Sequence, residues 1–343
     1  MKVISFKLQP GNRFHFGKFT PDANTGLQNT DDIFHSDSLF SALIITYNSI
    51  FNDTNDFVEQ FRNENLKISS LFFFLEYNNQ KIFFLPKPLI FNFTDVDNYK
   101  DFKKIKYISK YLYEKIKDAN ELLNDDIIIL QNIFAVHQSE MPVKNAEKVK
   151  IFNRIIDQKV FVSKEEQGDD LYQLDVIEIA DNSLIDKNID IGFYFIFDFN
   201  NDFEEKYFNK FISTIEILTS NGIGAEKSTI GQLHDYEISD IEFRLDNPSK
   251  KTSMSLSLIN PTKNELEKIL LGQSILRGGR IIGSNGNKRL KVVRMLTEGS
   301  ITKNGVNGIL VDIAPDNWNG IPYLRNGKAF LIPINENFEN YEI

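Results

Sequence analysis

The stretch Gly222-Ile-Gly224-Ala-Glu-Lys227-Ser228-Thr-Ile-Gly231 is a glycine-rich loop that carries one basic residue. Residues 204–221 before it place apolar side chains at helical spacing, and residues 236–243 after it alternate as a strand does. The loop therefore leads from a helix into a strand, whereas the phosphate-binding loops of nucleotide-binding folds run from strand into helix. A nucleotide cofactor is not expected. Two interpretations stay open: a helix C-cap that continues into a turn, or a site that a ligand backbone approaches closely.

The segments around this loop predict a mixed α+β fold. The periodicity predicts a strand, a capped helix opened by Ser36-Asp37-Ser38, a hairpin, a lysine-rich helix, a second hairpin, a strand and a helix. These segments lie, in chain order, at residues 1–8, 36–50, 71–77 with 81–85, 100–123, 149–162 with 172–179, 191–199 and 204–221. Apart from the second hairpin, which we interpret as an insertion, this order is that of a ferredoxin-like, RNA-recognition-type domain.

A change of composition at Asp246-Asn-Pro-Ser-Lys-Lys251 predicts a domain boundary. After it, Thr262 and Glu265 have the spacing of a capping box. Strand patterns follow at residues 253–259, 275–282, 291–296, 308–314 and 329–334. We expect two ferredoxin-like domains, with the inserted hairpin and the glycine-rich loop both in the first; the ranges are 1–247 and 248–343 for the domains, about 140–181 for the insertion and 222–231 for the loop.

Composition limits the classes of protein that this chain can belong to. Its 343 residues, 41% of them hydrophobic, are enough for two cores. Without cysteine it forms no disulfides and no thiolate metal sites. No stretch approaches the roughly 18 uninterrupted apolar residues of a membrane span. The first ten residues read as a strand rather than as a signal peptide. We therefore expect a cytoplasmic protein with no membrane partner.

Charge is distributed unevenly along the chain. The formal net charge is −9, which argues against a free, nonspecific nucleic-acid binder. Yet residues 272–303 contain seven basic residues and only one acidic residue, Glu298, and residues 140–164 contain six basic and three acidic residues. Such runs are usually solvated faces. Two basic segments in an acidic protein nevertheless favour a confined anionic ligand on a subunit whose other faces meet protein.

Several motifs together resemble one family. They are Arg13-Phe-His15-Phe-Gly17, Phe34-His35-Ser36-Asp37-Ser38-Leu39-Phe40-Ser-Ala-Leu43, the glycine-rich loop, and Arg277-Gly-Gly-Arg280 with Val293-Arg294-Met-Leu-Thr-Glu298-Gly-Ser. In these residues the chain resembles the RAMP-superfamily subunit, of the Cas-five-like group, that caps the guide-RNA 5′ end in the Csm complex of type III-A CRISPR systems. The subunit that the chain resembles is the fourth one of the Csm complex. The resemblance spans almost the whole chain.

The resemblance implies a non-catalytic subunit of a hetero-oligomeric complex in antiviral defence, with neither cofactor nor metal. Such subunits hold the repeat-derived 5′ tag of the guide RNA. Their implied partners are that RNA, the large polymerase-like signalling subunit and neighbouring RAMP backbone subunits. The inserted hairpin corresponds to the thumb that interrupts guide–target pairing, and Arg154 matches its basic position.

The family motifs and the basic segments predict a set of RNA-binding residues. Phosphate contacts and stacking hold single-stranded RNA, and arginine serves both purposes. We expect Arg277, Arg280 and Arg294 to face the glycine-rich loop across a cleft. The full set is Arg13, His15, His35, Ser36, Arg154, Gly222, Gly224, Lys227, Ser228, Gly231, Arg277, Arg280 and Arg294.

Two other functions stay open. The first is a RAMP-type endoribonuclease that processes guide RNA, because metal-free RNA cleavage commonly uses a histidine base and acid, and His15 and His35 could converge. The second is a structural interface without RNA contact, which the acidity permits. The basic segments discriminate between RNA contact and a structural interface. RNA contact predicts that these segments share one groove with the glycine-rich loop, and an interface predicts that they scatter.

Overall fold

The structure is a computed structural model, and it describes residues 1–19, 29–93, 99–161, 170–227, 229–281, 288–320 and 322–338. The α-helices of these residues are α1 (Ser36–Phe51), α2 (Thr54–Arg62), α3 (Tyr99–Lys104), α4 (Lys110–Lys115), α5 (Asn201–Lys206) and α6 (Phe208–Asn221). None of them, within these ranges, combines the length and apolar character that a membrane span requires.

Strands dominate the fold. Those of the N-terminal part are β1 (Lys2–Leu8), β2 (Arg13–Phe14), β3 (Leu66–Ile68), β4 (Phe72–Tyr77), β5 (Gln80–Pro86), β6 (Tyr107–Ser109), β7 (Ile127–Leu130), β8 (Phe134–His137), β9 (Phe152–Phe161), β10 (Asp170–Ile179), β11 (Ile189–Phe199) and β12 (Tyr236–Asp240). Those that follow are β13 (Pro248–Ser255), β14 (Ile269–Leu271), β15 (Ser274–Arg277), β16 (Arg280–Ile281), β17 (Lys288–Arg289), β18 (Val293–Leu296), β19 (Ile301–Lys303), β20 (Gly308–Asp312), β21 (Leu324–Lys328) and β22 (Leu331–Asn335).

A nine-stranded sheet organises the N-terminal part, in the order β12-β1-β11-β4-β5-β6-β8-β7, with β3 paired to β11. Alternation along its strands separates two cores, because successive side chains of a strand point to opposite faces. Phe193 and Phe195 belong to the core that also holds Leu43 of α1 and Ile215 of α6. Tyr194, between those two phenylalanines, belongs to the core that the C-terminal part completes. The sheet is thus covered by α1 and α6 on one face, and by the C-terminal part together with α3 and α4 on the other.

The inserted hairpin is formed by β9 and β10, which pair through ten consecutive positions from Phe152↔Ile179 to Phe161↔Asp170. Its root also pairs with β2, where Ile177 lies opposite Phe14. Leu174 and Val176 pack with Ile230 of the glycine-rich loop in a small separate core. The hairpin is therefore attached to the body along its root and on one face.

The C-terminal part is built on a four-stranded sheet in the order β14-β19-β13-β22, with shorter two-stranded ribbons beside it. The predicted capping box is confirmed, because Glu265 accepts the backbone N–H of Thr262 at 2.8 Å. It opens a 3₁₀ helix, Lys263–Lys268, rather than an α-helix. The described residues of this part contain only 3₁₀ helices, so its expected ferredoxin-like layout lacks α-helical counterparts here.

Three predicted elements are interrupted in the structure. The expected helix over residues 100–123 is divided into α3, β6, α4 and a 3₁₀ turn, because the lysine-rich segment carries a sheet strand at Tyr107–Ser109. The helix before the loop breaks between α5 and α6 at Tyr207. The expected strand over residues 275–282 is interrupted at Gly278-Gly279, where the ring of Phe19 lies 2.4 Å from the position that a Gly278 Cβ would occupy.

Candidate nucleic-acid interface

The start of α1 is held by arginines from the C-terminal part. Asp37 is fully buried and accepts hydrogen bonds from Nε and an Nη of Arg277, both at 2.9 Å. Arg325 also donates to Asp37. Burial alone would raise the pKa of this carboxyl, but the two guanidinium groups hold it well below its usual value. Arg277, which the motifs place in the RNA-binding set, is 5% exposed and is engaged in this ion pair.

Ser36 joins the same two parts of the chain rather than capping α1. The residue at the N-cap is His35, and no side chain caps the helix. The backbone N–H of Ser36 donates to Ser70 Oγ at 2.8 Å, and its own hydroxyl accepts the N–H of Leu258 at 3.0 Å. Since Ser36 is fully buried, its contacts are internal. The helix is predicted correctly, but the interpretation of Ser36-Asp37-Ser38 as a cap is wrong because these polar groups bind the C-terminal part.

His35 lies at the centre of a buried polar cluster. Its Nδ1 is 2.9 Å from Glu298 Oε1, and its Nε2 is 3.4 Å from Asp31 Oδ2. Ser70 donates a further hydrogen bond to Glu298. Burial alone would lower the pKa of His35, but the two carboxylates raise it to about 9. The imidazole is therefore charged at neutral pH, and both of its N–H groups have carboxylate acceptors.

His15 is engaged elsewhere. It is 1% exposed, and its Nδ1 lies 2.7 Å from the carbonyl oxygen of Asp175 on the inserted hairpin. Its backbone carbonyl accepts the N–H of Ala225, from the glycine-rich loop, at 3.0 Å. His15 and His35 thus have different internal partners, and each is buried. The arrangement fixes the loop and the hairpin to the segment that follows β2.

The glycine-rich loop packs against the chain's own backbone. Gly222 is the C-cap of α6 with φ +72°, and its N–H bonds to Leu218 O at 2.9 Å, so the interpretation of the loop as a C-cap that continues into a turn is confirmed. Gly224 has φ +85°, and its Cβ would lie 2.5 Å from the carbonyl oxygen of His15. For Gly231, with φ +89°, the nearest atom is the carbonyl oxygen of Ile223 at 2.3 Å. Close approach within the protein therefore explains these glycines.

Two further basic residues of the expected set are paired at the root of the hairpin. Arg13 Nε donates to Glu178 Oε2 at 2.8 Å. One Nη of Arg154 donates to Thr30 O at 3.0 Å and to Asp175 at 3.2 Å, and the other donates to Asp32. The side chains are 39% and 44% exposed, so both keep a solvent-facing edge.

Three residues of the set are exposed to solvent, namely Arg280 on β16, Arg294 on β18 and Lys227 in the loop. Arg280 lies directly opposite Arg289 in the β16–β17 pair, and Arg294 lies opposite Leu276. Among the residues that the structure describes, neither arginine has a carboxylate partner. Ser228 lies outside the described residues.

A cleft of about 560 Å³ separates the N-terminal part from β15 and the residues near Glu298. Four lysines line the cleft, namely Lys18, Lys87, Lys103 and Lys106. None of these four lysines belongs to the RNA-binding set that the sequence predicts. Lys106 pairs with Asp32 at 2.7 Å, and Asp32 also accepts from Arg154. The Asp32 carboxylate thus links Arg154, at the root of the hairpin, to Lys106, which lines the cleft. The lysines come from three separate segments, and two of these carry a local signal: Lys87 stands between two prolines, and Lys103 and Lys106 belong to the lysine-rich segment.

The chain is similar to known proteins both in its C-terminal part and over its whole length. Residues 248–334 match the family model described as the CRISPR Csm4 C-terminal domain. A relative from Methanocaldococcus jannaschii, named "CRISPR system Cms protein Csm4", is 27% identical over 400 aligned positions that cover 99% of this chain and 100% of the relative.

Solved structures match the fold over nearly the whole chain. A chain from the crystal structure of a Csm3–Csm4 subcomplex in the type III-A CRISPR-Cas interference complex has a TM-score of 0.67 at 23% identity, and the match covers 98% of this chain and 100% of that one. A chain from a Csm1–Csm4 cassette crystallised with pppApA has a TM-score of 0.56 at 17% identity, with 98% of each chain covered.

In its mixed α+β fold and in residues 248–334, the chain is similar to subunits of the RAMP superfamily found in CRISPR systems. Within that superfamily, the three comparisons support a Csm4-type subunit. The family resemblance of the sequence motifs is thereby confirmed.

Proposed function

We propose that this chain is the cytoplasmic, non-catalytic subunit of a type III-A Csm effector complex that binds the repeat-derived 5′ tag of the guide RNA. The observation that carries RNA contact is the exposed pair Arg280 and Arg289, which face each other across β16 and β17. Like charges directly opposite on paired strands repel one another. With no carboxylate partner among the described residues, a bound phosphate is the group that relieves this repulsion.

The fold supports the proposal of two domains that meet at residues 247–248. In the first, β1, α1, β4, β11, α6 and β12 follow one another in the chain, and the sheet orders its strands as β12-β1-β11-β4. This succession supports a ferredoxin-like domain. The β9–β10 hairpin is inserted between β4 and β11 and is our candidate for the thumb. The second domain, 248–343, begins with the β13 strand and coincides in its start with the family match.

Partners follow from the relatives. Their solved structures are of complexes with Csm3 and with Csm1. We propose that this chain likewise contacts a RAMP backbone subunit and the large polymerase-like subunit. The exposed apolar residues of the hairpin, Ile156, Val160 and Leu171, suit a protein contact better than a phosphate contact.

The endoribonuclease alternative draws less support from the site. A general base and a general acid must both reach one ribose and its phosphate. His15 and His35 are 1% and 5% exposed, and their Nδ1 atoms are engaged by Asp175 and by Glu298. In a complex carrying His15→Gln and His35→Gln, we expect guide RNA of mature length. Accumulation of uncut precursor with a folded subunit would instead identify an enzyme.

The RNA-binding proposal is tested in the assembled complex. The chain is co-expressed with the partner subunits and a repeat-bearing RNA, and the complex is analysed by native mass spectrometry. Arg280→Glu with Arg294→Glu should lower the RNA-to-protein ratio at least tenfold, whereas Arg244→Glu, at an exposed arginine outside the basic segment, should not. Unchanged RNA content together with unchanged discrimination between tag sequences would contradict the proposal.

A further inference from the structure

The outer edge of the inserted hairpin has no strand beside it. Its sheet has the order β2-β10-β9, so β9 is an edge strand within the described part of the chain. Ile179, which lies opposite Phe152, donates its N–H to Asn12 O at 2.9 Å, on the side away from β9. Backbone groups alternate in direction along antiparallel strands. Every second residue of β9, counted from Phe152, therefore presents its N–H and C=O to the free edge.

The first of these edge positions is covered by a side chain. The amide of Gln131 binds Phe152 as a neighbouring strand would, because it accepts the N–H at 3.1 Å and donates to the carbonyl oxygen at 2.7 Å. A row of exposed N–H and C=O groups is a template for another strand. The next four edge positions have no backbone partner on this side among the described residues; they are Arg154, Ile156, Gln158 and Val160.

The side chains along this edge are symmetric about Gln158. Ile156 and Val160 lie on one face of the strand and are 65% and 49% exposed, although both are apolar. Asp157 and Lys159 lie on the other face and are partly exposed. Reversing the strand about Gln158 exchanges the two apolar residues with each other and the acid with the base. The edge is therefore complementary to an antiparallel copy of itself.

Charge selects one register for such a pair. With a two-fold axis at Gln158, Asp157 lies opposite Lys159 of the second copy, and Ile156 lies opposite Val160. Opposite charges and apolar pairs across paired strands are stabilising, whereas like charges are destabilising. A slip by two residues in one direction places Asp157 opposite Asp157, and a slip in the other direction places Lys159 opposite Lys159. The register at Gln158 avoids both repulsions.

We propose that β9 pairs with β9 of a second copy of this chain, antiparallel and about a two-fold axis at Gln158. The pairing joins the two hairpin sheets into one continuous sheet. It gives hydrogen-bond partners to the outward backbone groups of Ile156, Gln158 and Val160, and it covers both apolar side chains. Because each copy uses its one free hairpin edge, association stops at a dimer. The dimer forms outside any complex, so the proposal does not rest on the function proposed above.

The backbone pairing is tested by sedimentation velocity of the full-length chain at increasing concentration. The wild-type chain should pass from monomer to dimer. Gln158→Pro removes the N–H at the axis, and proline is tolerated on an edge strand where that group faces solvent. This variant should raise the dissociation constant of the dimer at least tenfold with little change in melting temperature. Gln158→Thr keeps the N–H and is the matched control, which should dimerise as the wild type does.

The register is tested by exchanging charges. Asp157→Lys and Lys159→Asp each place like charges opposite one another, so each variant alone should dimerise about tenfold or more weakly. Mixed in equal amounts, the two variants should form a heterodimer with nearly the wild-type affinity, because opposite charges then face each other at both sites. Melting temperatures check that losing the internal contact of Asp157 with Arg13, at 3.7 Å, leaves the fold intact.

Three outcomes overturn the proposal. The first is a chain that stays monomeric at every concentration, which would leave the edge to a strand of another protein. The second is a dimer that Gln158→Pro does not weaken, since such a dimer uses another surface. The third is a mixture of the two charge variants in which no heterodimer forms, since the register at Gln158 requires one.

Discussion

Arg277 and Asp37 form a two-hydrogen-bond ion pair across 240 residues of sequence, with both N···O distances at 2.9 Å and both side chains buried. A bidentate guanidinium–carboxylate pair is the strongest form of this contact. It anchors the first turn of α1 to β15 and so joins the helix layer to the C-terminal part. The pair therefore adds to the contacts of His35 with Glu298 and of Ser36 with Leu258 that hold the two parts together.

Breaking this pair should destabilise the chain strongly. Arg277→Met leaves the buried Asp37 carboxylate with Arg325 as its one cationic hydrogen-bond partner among the described residues, and we expect a loss of about 3–5 kcal/mol in the free energy of unfolding. Arg277→Lys should cost less, because an ammonium keeps the charge but loses the planar two-bond geometry. Urea unfolding measures both.

The matched control is an exposed pair of the same chemistry. Arg62 Nε lies 2.9 Å from Glu59, with both side chains nearly half exposed. Arg62→Met should change the free energy of unfolding by less than about 1 kcal/mol. Equal losses for Arg277→Met and Arg62→Met would show that burial does not set the strength of the inner pair.

Substitutions at two glycines distinguish the cost of backbone strain from the cost of a steric clash. Gly224 and Gly11 have nearly the same φ, +85° and +84°, but only the Gly224 Cβ would meet an atom, the His15 oxygen at 2.5 Å. Gly11→Ala should cost about 1–3 kcal/mol for its backbone conformation alone. Gly224→Ala should cost clearly more and should lower the melting temperature further. Similar melting temperatures for the two variants would mean that the loop is not held against the segment that follows β2.

Stability should depend on the protonation of His35. Its pKa is about 9 in the folded chain, against an ordinary value of 6.5, so folding favours the protonated form. The stabilisation is complete below about pH 6.5 and is lost as the pH rises through about 9. Relative to His35→Gln, the wild-type chain should lose on the order of 2 kcal/mol between pH 6.5 and 9.5.

The comparison with His35→Gln is needed because Lys87 titrates in the opposite sense. Its pKa is lowered to about 8 by burial, so folding becomes more favourable as the pH rises above that value. This contribution is common to both chains and cancels in their difference. Parallel pH profiles for wild type and His35→Gln would rule out the imidazolium as a stabilising charge.

A charge introduced on one face of the β9–β10 hairpin should have a different effect from a charge introduced on the other face. Leu171 lies opposite Val160 on the outer face and is 76% exposed, whereas Leu174 is fully buried against the glycine-rich loop. Leu174→Asp should destabilise the free chain by about 3 kcal/mol or more, because it buries an unpaired charge. Leu171→Asp should leave the melting temperature unchanged and weaken incorporation into the Csm complex, measured by native mass spectrometry. Normal incorporation of Leu171→Asp would exclude this face as a protein contact.

The local sequence pattern was sufficient to predict the secondary-structure elements that have strong periodicity. The hairpin of β4 and β5 was predicted from its Asn78-Asn79 turn, and both asparagines have positive φ, as such a turn requires. The inserted hairpin and the strand after it were also predicted within a few residues. The long helix predicted over residues 100–123 was wrong, because the pairing of Tyr107 with Phe134 and Pro86 overrides the helical pattern of the segment.

The sequence by itself determined the α+β class, the inserted hairpin, the helix-to-strand setting of the glycine-rich loop and the resemblance to Csm4-type subunits. Only the tertiary structure decided which basic residues are free for a ligand. Arg277 and Arg280 stand three residues apart in one motif, yet the first is buried against Asp37 and the second is exposed. The cleft lysines likewise come from segments that only folding brings together. Periodicity is a local property that sequence displays directly, whereas the partner of a polar side chain is set by contacts between residues far apart in the chain.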